Sequence, residues 1–233
     1  MRQMGLQVAR NVTASGPTEG KTLLSRINMR WHELLESLRE GGFRNVLEKR
    51  VYFNKTVMPV EMDLGSLAEE NDPLIGKPYD IIELTTGMIS EGAFCFAAKS
   101  RRLKAVHNLK KGFRGYALAR DDLIVGDIWC ACPPTPEGTV SHSDMDWLGI
   151  DSQPGEVYTF DMFIVPDERG HNIAAPFQMA ALHALKRYGY RKAYGFYRTD
   201  YLPALWVHRL LKWKERGGVR VWRFLSLRGS SPV

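Results

Sequence analysis

Residues 156–174 combine a strand-like segment, a turn and the start of a helix in a pattern that favours anion binding. The turn reads Pro166-Asp-Glu-Arg-Gly-His-Asn-Ile-Ala174 and leads into an amphipathic helical segment. The first N–H groups of a helix have no intrahelical partner, and the helix dipole adds about half a positive charge there. Arg169 adds a full positive charge, and Gly170 lets a ligand approach the backbone. The segment predicts a pyrophosphate site, with an ordinary strand–helix connection as the alternative.

Two further groups of side chains are chemically active. Cys130 and Cys132 lie in a strand-like segment, with His142 ten residues further on. Both thiols share one strand face, but the Cys-x-x-Cys spacing and the second ligand pair of a zinc site are missing. We therefore expect no metal. Arg101, Arg102 and the lysines that follow form a basic cluster, which is either a solvated helix face or a surface that steers an anionic partner.

The elements that position these residues follow from hydrophobic periodicity. Apolar residues at three- and four-residue steps predict a helix from Leu23 to Leu38, and a weaker pattern predicts another over 90–111. A β-type composition spans 43–60, and a turn-rich loop spans 133–154. The remaining segments predict strands at 115–119, 123–130, 156–165, 193–197 and 219–227, and helices at 173–188 and 203–215. This order predicts a mixed sheet covered by helices.

Composition narrows the class of protein. The chain has 233 residues, of which 44% are hydrophobic and 25% charged, as in soluble globular proteins. No apolar run is long enough to span a membrane, and residues 1–20 hold no apolar block, so we expect neither a transmembrane helix nor a secretory signal. The three cysteines favour the reducing cytoplasm over a disulfide framework. We expect a flexible tail over 1–20 and one domain over 21–227, with an N-terminal helix and strands over 21–90 and the core over 91–227.

Two turns follow a known order of motifs. The first reads Ile164-Val-Pro-Asp-Glu168 and then Arg169-Gly-His-Asn-Ile-Ala174, and the second reads Tyr201-Leu-Pro-Ala204 and opens another helix. Over roughly residues 90–227, the chain resembles the GNAT superfamily of acyl-CoA-dependent N-acyltransferases. Asn172 stands where the family usually has Gly. Because Asn is the best substitute for Gly in a left-handed backbone, we expect the loop to keep its shape.

The resemblance implies a fold and a donor site. The fold is an α+β mixed sheet, mostly antiparallel, with a splayed parallel strand pair and flanking helices. The main chain of Phe163, Ile164 and Val165 is expected to bind the pantetheine amides of acyl-CoA as an added strand does. The turn is expected to hold the pyrophosphate through Arg169, Gly170, His171, Asn172, Ile173 and Ala174.

The resemblance also implies candidates for proton transfer. His208 replaces the tyrosine acid of the family, and Tyr201, which replaces its asparagine, is the other candidate donor. The alternatives are that His208 is merely a polar residue on its helix and that Tyr201 is a packing residue. Asp161 and Glu156 are candidate general bases, although a structural role is the simpler interpretation because many such enzymes need no dedicated base.

Three functions remain open at this stage. One is transfer of an acetyl or longer acyl group from acyl-CoA to a small-molecule amine. A close variant resembles the long-chain N-acyl amino acid synthases, which take acyl chains from acyl carrier protein and pass them to an amino acid. A non-catalytic ligand-binding module is the third. Residues 191–228 hold ten Lys and Arg against two acidic residues within a net charge of +6, which favours a phosphorylated donor or an acidic carrier. Nucleic acid is not expected, because no binding motif for it is present.

Overall fold

The computed structural model describes residues 28–29, 31–32, 35, 52–67, 73–133, 135–224 and 227–233. The tail expected over 1–20 lies outside these residues, as does most of the helix expected from Leu23 to Leu38. Within that expected helix, the described positions at 28–29, 31–32 and 35 are helical. The domain boundaries at residues 20, 21 and 227 therefore stay predictions.

The remaining described residues form strands and helices with defined bounds. The strands are β1 Tyr52–Asp63, β2 Asp80–Leu84, β3 Cys95–Phe96, β4 Arg114–Arg120, β5 Leu123–Ala131, β6 Glu156–Ile164, β7 Lys192–Arg198, β8 Lys214–Glu215, β9 Val219–Phe224 and β10 Leu227–Pro232. The helices are α1 Thr86–Glu91, α2 Lys99–Lys110, α3 Ser143–Leu148, α4 Ala174–Arg187 and α5 Leu202–Leu210, with 3-10 turns at Leu64–Ser66 and Pro166–Glu168.

The strands of the described part form a single mixed sheet. Their order is β10-β9-β1-β7-β6-β5-β4-β2, with β3 added beside β5 and β8 beside β1. The β3–β5 and β6–β7 pairs are parallel, and the other pairs are antiparallel. The predicted α+β mixed sheet, mostly antiparallel with a parallel pair and flanking helices, is confirmed.

Several segments differ from the sequence prediction. The helix expected over 203–215 ends at Leu210, and Lys214–Glu215 pair with β1 as β8. The strand expected over 219–227 ends at Phe224, and Leu227–Pro232 form a separate strand, β10, that pairs with β9.

The helix expected over 90–111 begins only at Lys99, and the residues before it form β3. The N–H of Cys95 donates to the Asp122 carbonyl at 2.9 Å, and that of Ala97 donates to Ile124 at 3.0 Å, so hydrogen bonds to β5 replace a helical ladder. The loop expected over 133–154 contains α3, which ends at Gly149 with a left-handed φ of 62°.

Apolar side chains fill both faces of the sheet. Ile128 of β5 packs in one cluster with Phe177 and Leu185 of α4, and the adjacent Trp129 packs in another with Ala105 of α2. Because consecutive strand residues point to opposite faces, α4 and α2 lie on opposite sides of the sheet. Helix α5 packs beside α4. The sheet is therefore the middle layer of three, with helices on both of its faces.

Strands β6 and β7 are paired only at their beginnings. The parallel partners are Glu156 with Lys192, Val157 with Ala193, and Tyr158 with Tyr194. Beyond this point β6 continues to Ile164 along β5, and β7 continues to Arg198 along β1. The two strands therefore diverge, and we call the space between their carboxyl-terminal halves the slot.

A close contact across the sheet gives a prediction for stability. A Cβ atom on Gly115 of β4 would lie 2.6 Å from the ring of Trp129, which is fully buried and has no room to shift. We expect Gly115→Ala to lower the free energy of unfolding by about 1–3 kcal/mol, measured by urea denaturation.

Gly217→Ala is the matched control, because no atom lies within 4 Å of its Cβ position. Its expected change is within about 0.5 kcal/mol. Equal changes in the two variants would show that Trp129 does not pack against Gly115 in solution.

Candidate functional site

Strand β6 carries a bulge at the point where the slot begins. Trp129 of β5 pairs with Phe160, and Asp127 pairs with Phe163. Three steps along β6 therefore correspond to two steps along β5, so β6 has one extra residue. Within this bulge, Asp161 has a φ of 53°, in the left-handed region. Aspartate is one of the few non-glycine residues that adopt this conformation, at a cost of about 1–2 kcal/mol. Because a bulge bends its strand and increases the twist, it contributes to the divergence of β6 from β7.

A buried guanidinium binds the bulge. Arg101, in the first turn of α2, is 8% exposed. Its Nε donates to Oδ2 of Asp127 at 2.8 Å, and its Nη2 contacts the other oxygen of that carboxylate. Nη1 and Nη2 lie 3.3 and 3.1 Å from the carboxylate oxygens of Asp161, and Nη2 also donates to the Asp161 carbonyl at 3.2 Å. One side chain thus joins β5 to the bulge of β6.

Two further donors complete this network of charges. Trp129 Nε1 donates to Asp127 Oδ1 at 2.7 Å, and Lys104 Nζ lies 2.7 Å from Asp161 Oδ2. Each carboxylate therefore has a cation and a second donor, which buried charges require. In the chain, Arg101 is 26 residues from Asp127 and 60 residues from Asp161, so no local sequence pattern connects the three side chains.

The network changes the interpretation of two residues. Arg101 does not belong to a solvated helix face, since it is buried. Asp161 lies at the slot as expected for a candidate base, but it is held in ion pairs. Burial alone would raise the pKa of Asp161, but Arg101 and Lys104 outweigh it and lower this pKa below its ordinary value. A carboxylate with a lowered pKa is a weak proton acceptor, which argues against a general-base role.

The turn between β6 and α4 has the backbone that the sequence pattern predicts. Gly170 has a φ of 90°, and Asn172 has a φ of 51°, so the asparagine adopts the left-handed conformation expected of a glycine substitute. Helix α4 follows Ile173 and has no side-chain cap, so its first N–H groups stay available to a ligand. His171 is 59% exposed, whereas Ile173 is 2% exposed and anchors the helix start in the core. Ala174 is the first helical residue.

Buried Glu168 fixes this turn to the rest of the sheet. Its carboxylate accepts a hydrogen bond from the Tyr79 hydroxyl at 2.6 Å and lies 2.6 Å from Arg120 Nη1. His171 Nδ1 is 3.5 Å from the same carboxylate. Tyr79 precedes β2 and Arg120 ends β4, so a single carboxylate ties the turn to two distant segments. Sequence analysis gives Glu168 no such role, because 89 residues separate it from Tyr79.

The three strand residues expected to bind pantetheine already make contacts within the protein. The Phe163 ring lies 4.8 Å from the Arg101 guanidinium and 5.6 Å from that of Arg169. The Ile164 carbonyl accepts a hydrogen bond from Arg169 Nε at 2.8 Å, and the Val165 N–H donates to Val125 at 2.9 Å. Arg169 therefore folds back toward β6, and less of the main chain at 164–165 is open to a ligand than expected.

His208, the first candidate acid, lies on α5 between two aromatic rings. Its ring centroid is 5.2 Å from that of Tyr197 and 5.4 Å from that of Trp213. Its Nδ1 is 2.7 Å from the Ala204 carbonyl, which can only accept, so Nδ1 carries the proton. Burial lowers the pKa of His208. The imidazole is therefore neutral at pH 7, with its one N–H bound, and it is a poor proton donor.

The other two candidates lie at different ends of the slot strands, Tyr201 just after the carboxyl end of β7 and Glu156 at the start of β6. Tyr201 precedes α5 and is 49% exposed. Glu156 begins β6 at its paired end, where it accepts from the Gln153 N–H at 2.7 Å and lies 3.7 Å from Lys192 Nζ. The slot therefore brings together Asp161, Phe163 and the turn to Ala174. It does not include Glu156.

Comparison with known proteins gives a fold. No family model matches the chain, and no curated protein matches it. Among solved structures, a glucosamine N-acetyltransferase region of a fungal multi-domain GH3 β-N-acetylglucosaminidase superimposes with a TM-score of 0.53 at 16% identity, over 78% of this chain and 22% of that one. This chain has the GNAT fold. The fold expected from the two turns is confirmed.

Other solved GNAT structures superimpose more loosely. A tandem GNAT protein from the clavulanic acid pathway gives a TM-score of 0.45 at 13% identity, over 76% of this chain and 53% of that one. A putative acetyltransferase from Novosphingobium aromaticivorans also gives 0.45 at 13% identity, over 78% and 67%. The chain thus spans from about a fifth to two thirds of the length of these three GNAT structures.

Two further features are absent from the residues that the structure describes. No three His, Cys, Asp or Glu side chains of the described residues lie together as a metal site requires. Among those residues, no helix combines the length and the apolar composition that crossing a bilayer needs.

The Glu168 anchor gives a stability prediction. Tyr79→Phe removes a buried donor to a buried carboxylate, and we expect the free energy of unfolding to fall by about 1–2 kcal/mol. Tyr188→Phe is the matched control, since Tyr188 also donates to a carboxylate, that of Glu83, but on the exposed surface. Urea denaturation of both variants measures the difference. A loss that is no larger for Tyr79→Phe than for Tyr188→Phe contradicts the anchor.

The lowered pKa of His208 predicts a pH dependence. The unfolded chain protonates His208 near its ordinary value of 6.5, whereas the folded chain does so only at lower pH. Below about pH 6.5 protons therefore favour the unfolded state, and stability falls as pH decreases toward the folded pKa. Between about pH 7.5 and about pH 5, we expect the urea midpoint to fall further in the wild type than in His208→Gln. Parallel pH profiles would contradict the burial of His208.

Proposed function

We propose that the chain is an N-acyltransferase that moves an acyl group from acyl-CoA to the amine of a small molecule. The observation that carries the proposal is the continuous path from the bulged, diverging β6 through the left-handed turn to the uncapped start of α4. The GNAT fold of the fungal glucosamine N-acetyltransferase region supports it.

The turn suits a pyrophosphate. No atom lies within 4 Å of the position of a Cβ on Gly170, so the backbone is open there. Helix α4 begins without a cap and without an acidic residue in its first turn, so nothing competes with an anion for its N–H groups. The excess of Lys and Arg over acidic residues in 191–228 adds a favourable field for a phosphorylated donor.

The reaction needs alignment more than acid–base groups. The amine nitrogen attacks the thioester carbonyl, the C–S bond breaks, the thiolate takes up a proton, and the amine nitrogen loses one to water. Of the four candidates, Asp161 and Glu156 are held in ion pairs, and His208 is neutral with its N–H bound. We therefore assign catalysis chiefly to holding both reactants in the slot, which supplies about 7–11 kcal/mol in well-aligned systems. Tyr201, half-exposed at the start of α5, stays the candidate proton donor to the thiolate.

The proposal also names the classes of acyl donor and acceptor. Acetyl-CoA or a longer acyl-CoA is the primary donor, and acyl carrier protein with an amino acid acceptor is the variant that a long-chain synthase would use. Both donors carry a phosphopantetheine arm and so fit the same slot. We propose the cytoplasm as the compartment, where both donors and free thiols occur.

A non-catalytic ligand-binding module is the second candidate. The observation that favours it is the lack of a free acid or base among the three sequence candidates that bear a carboxylate or an imidazole, Asp161, Glu156 and His208. It predicts binding of CoA without turnover.

A donor panel separates these functions. Calorimetry with CoA, acetyl-CoA, palmitoyl-CoA and palmitoyl carrier protein measures binding, and thiol release with a panel of amines and amino acids measures turnover. Binding with thiol release supports the transferase, and binding without release for every amine supports the module. Absence of binding to all four donors overturns both.

Asn172 gives a sharper prediction for the donor site. With φ at 51°, Gly is accommodated at this position, but a β-branched residue is strained. We expect Asn172→Gly to bind CoA about as well as the wild type, and Asn172→Val to bind at least about tenfold more weakly. Calorimetry gives both dissociation constants. Unchanged affinity for CoA in Asn172→Val would show that the turn does not bind the donor.

A further inference from the structure

The bulge of β6 is held by a cation from outside the strand. Two of the Arg101 nitrogens face the Asp161 carboxylate, and one of them also binds the Asp161 carbonyl. The same guanidinium binds the carboxylate of Asp127 on β5 through two nitrogens. Arg101 therefore contacts the two strands at the one place where their register shifts.

We propose that Arg101 is a positioning residue that holds Asp161 in its left-handed conformation and thereby keeps β6 away from β7. The inference rests on the proposed function in one respect: the slot that Arg101 keeps open is the one assigned to the acyl donor. Arg101 acts through the strand and does not itself touch substrate.

The arrangement of donors supports this role over simple charge burial. A guanidinium presents five N–H groups in a fixed plane, so it binds one carboxylate with two nitrogens and still reaches a second strand. Neutralising Asp127 alone requires only the Nε and one Nη2 hydrogen. Of the three remaining hydrogens, one on Nη1 is donated to the Asp161 carboxylate and one on Nη2 to the Asp161 carbonyl.

Neighbouring side chains secure the same geometry. Lys104, one turn along α2, binds Asp161 Oδ2 at 2.7 Å, so Asp161 is held from two positions on one helix face. Phe163, two residues after the bulge residue, packs between Arg101 and Arg169. The network therefore continues from α2 through the bulge to Arg169 in the turn at 166–174, which we call the phosphate turn, and it sets where the strand main chain meets a ligand.

The first test measures the bulge itself and needs no substrate. Asp161→Asn keeps a residue that tolerates the left-handed region but removes the charge that Arg101 and Lys104 bind. Asp121→Asn is the matched control, since Asp121 also has a φ of 53° but lies exposed in the turn between β4 and β5. In the full chain, we expect hydrogen exchange of amides in 159–164 to be about tenfold faster in Asp161→Asn and unchanged in Asp121→Asn.

A second variant removes the cation. Arg101→Gln should accelerate exchange over 159–164 at least as much as Asp161→Asn, because it also loses the bond to the Asp161 carbonyl. If Arg101→Gln fails to fold because Asp127 is left buried and unpaired, Asp161→Asn decides the question. Exchange in Asp161→Asn that equals exchange in Asp121→Asn overturns the proposal.

Kinetics separate positioning from general stability. With acetyl-CoA and an amine that supports thiol release, we expect Asp161→Asn to lower kcat about tenfold and leave KM for acetyl-CoA within about threefold, because the phosphate turn is unchanged. A change in KM alone, or no change in either constant, contradicts the role. A wild-type protein that releases no thiol overturns the proposed function, whereas the exchange experiment still decides the role of Arg101.

Discussion

The divergence of β6 from β7 is the constraint on which the site depends. The two strands share only three paired positions, and each then follows its other neighbour, β5 or β1. A strand edge without a partner offers unpaired main-chain groups, and a ligand with amides can take the place of the missing strand. The extra residue at Asp161 bends β6 at the point where the slot begins, and Arg101 binds the bent segment to α2 and β5. A local backbone irregularity and a buried ion network therefore produce one functional geometry.

The turn at 166–174 depends on two different kinds of support. Gly170 and Asn172 supply the left-handed residues that the turn requires, and this support is local in sequence. Glu168 supplies the second kind, because its buried carboxylate binds Tyr79 and Arg120 from distant segments. The first gives the turn its shape, and the second fixes its position relative to the sheet. Both are needed if a phosphate at the turn and a thioester at the bulge belong to one ligand.

The candidate acid and base groups illustrate how tertiary contacts change chemistry. Asp161 and His208 have residue types that suit proton transfer, and their order along the chain fits the expected motifs. In the folded chain, cations lower the pKa of Asp161, and burial lowers that of His208, so neither is suited to the role expected from the sequence. In the acyl transfer proposed for this chain, positioning of the reactants is therefore the main contribution.

The sequence by itself determined the local features of this protein. The succession from β4 to α4, the turn at 166–174 and the left-handed Asn172 follow from short-range backbone preferences of neighbouring residues, whereas β3 and α3 do not. Tertiary structure alone decided that Arg101 is buried rather than solvated, that Asp161 is a bulge residue held in ion pairs, and that Glu168 anchors the turn. These contacts join residues 26 to 89 positions apart in the chain. The sequence does not show which charged side chains pair, because the need for a partner arises only when packing buries both groups away from water.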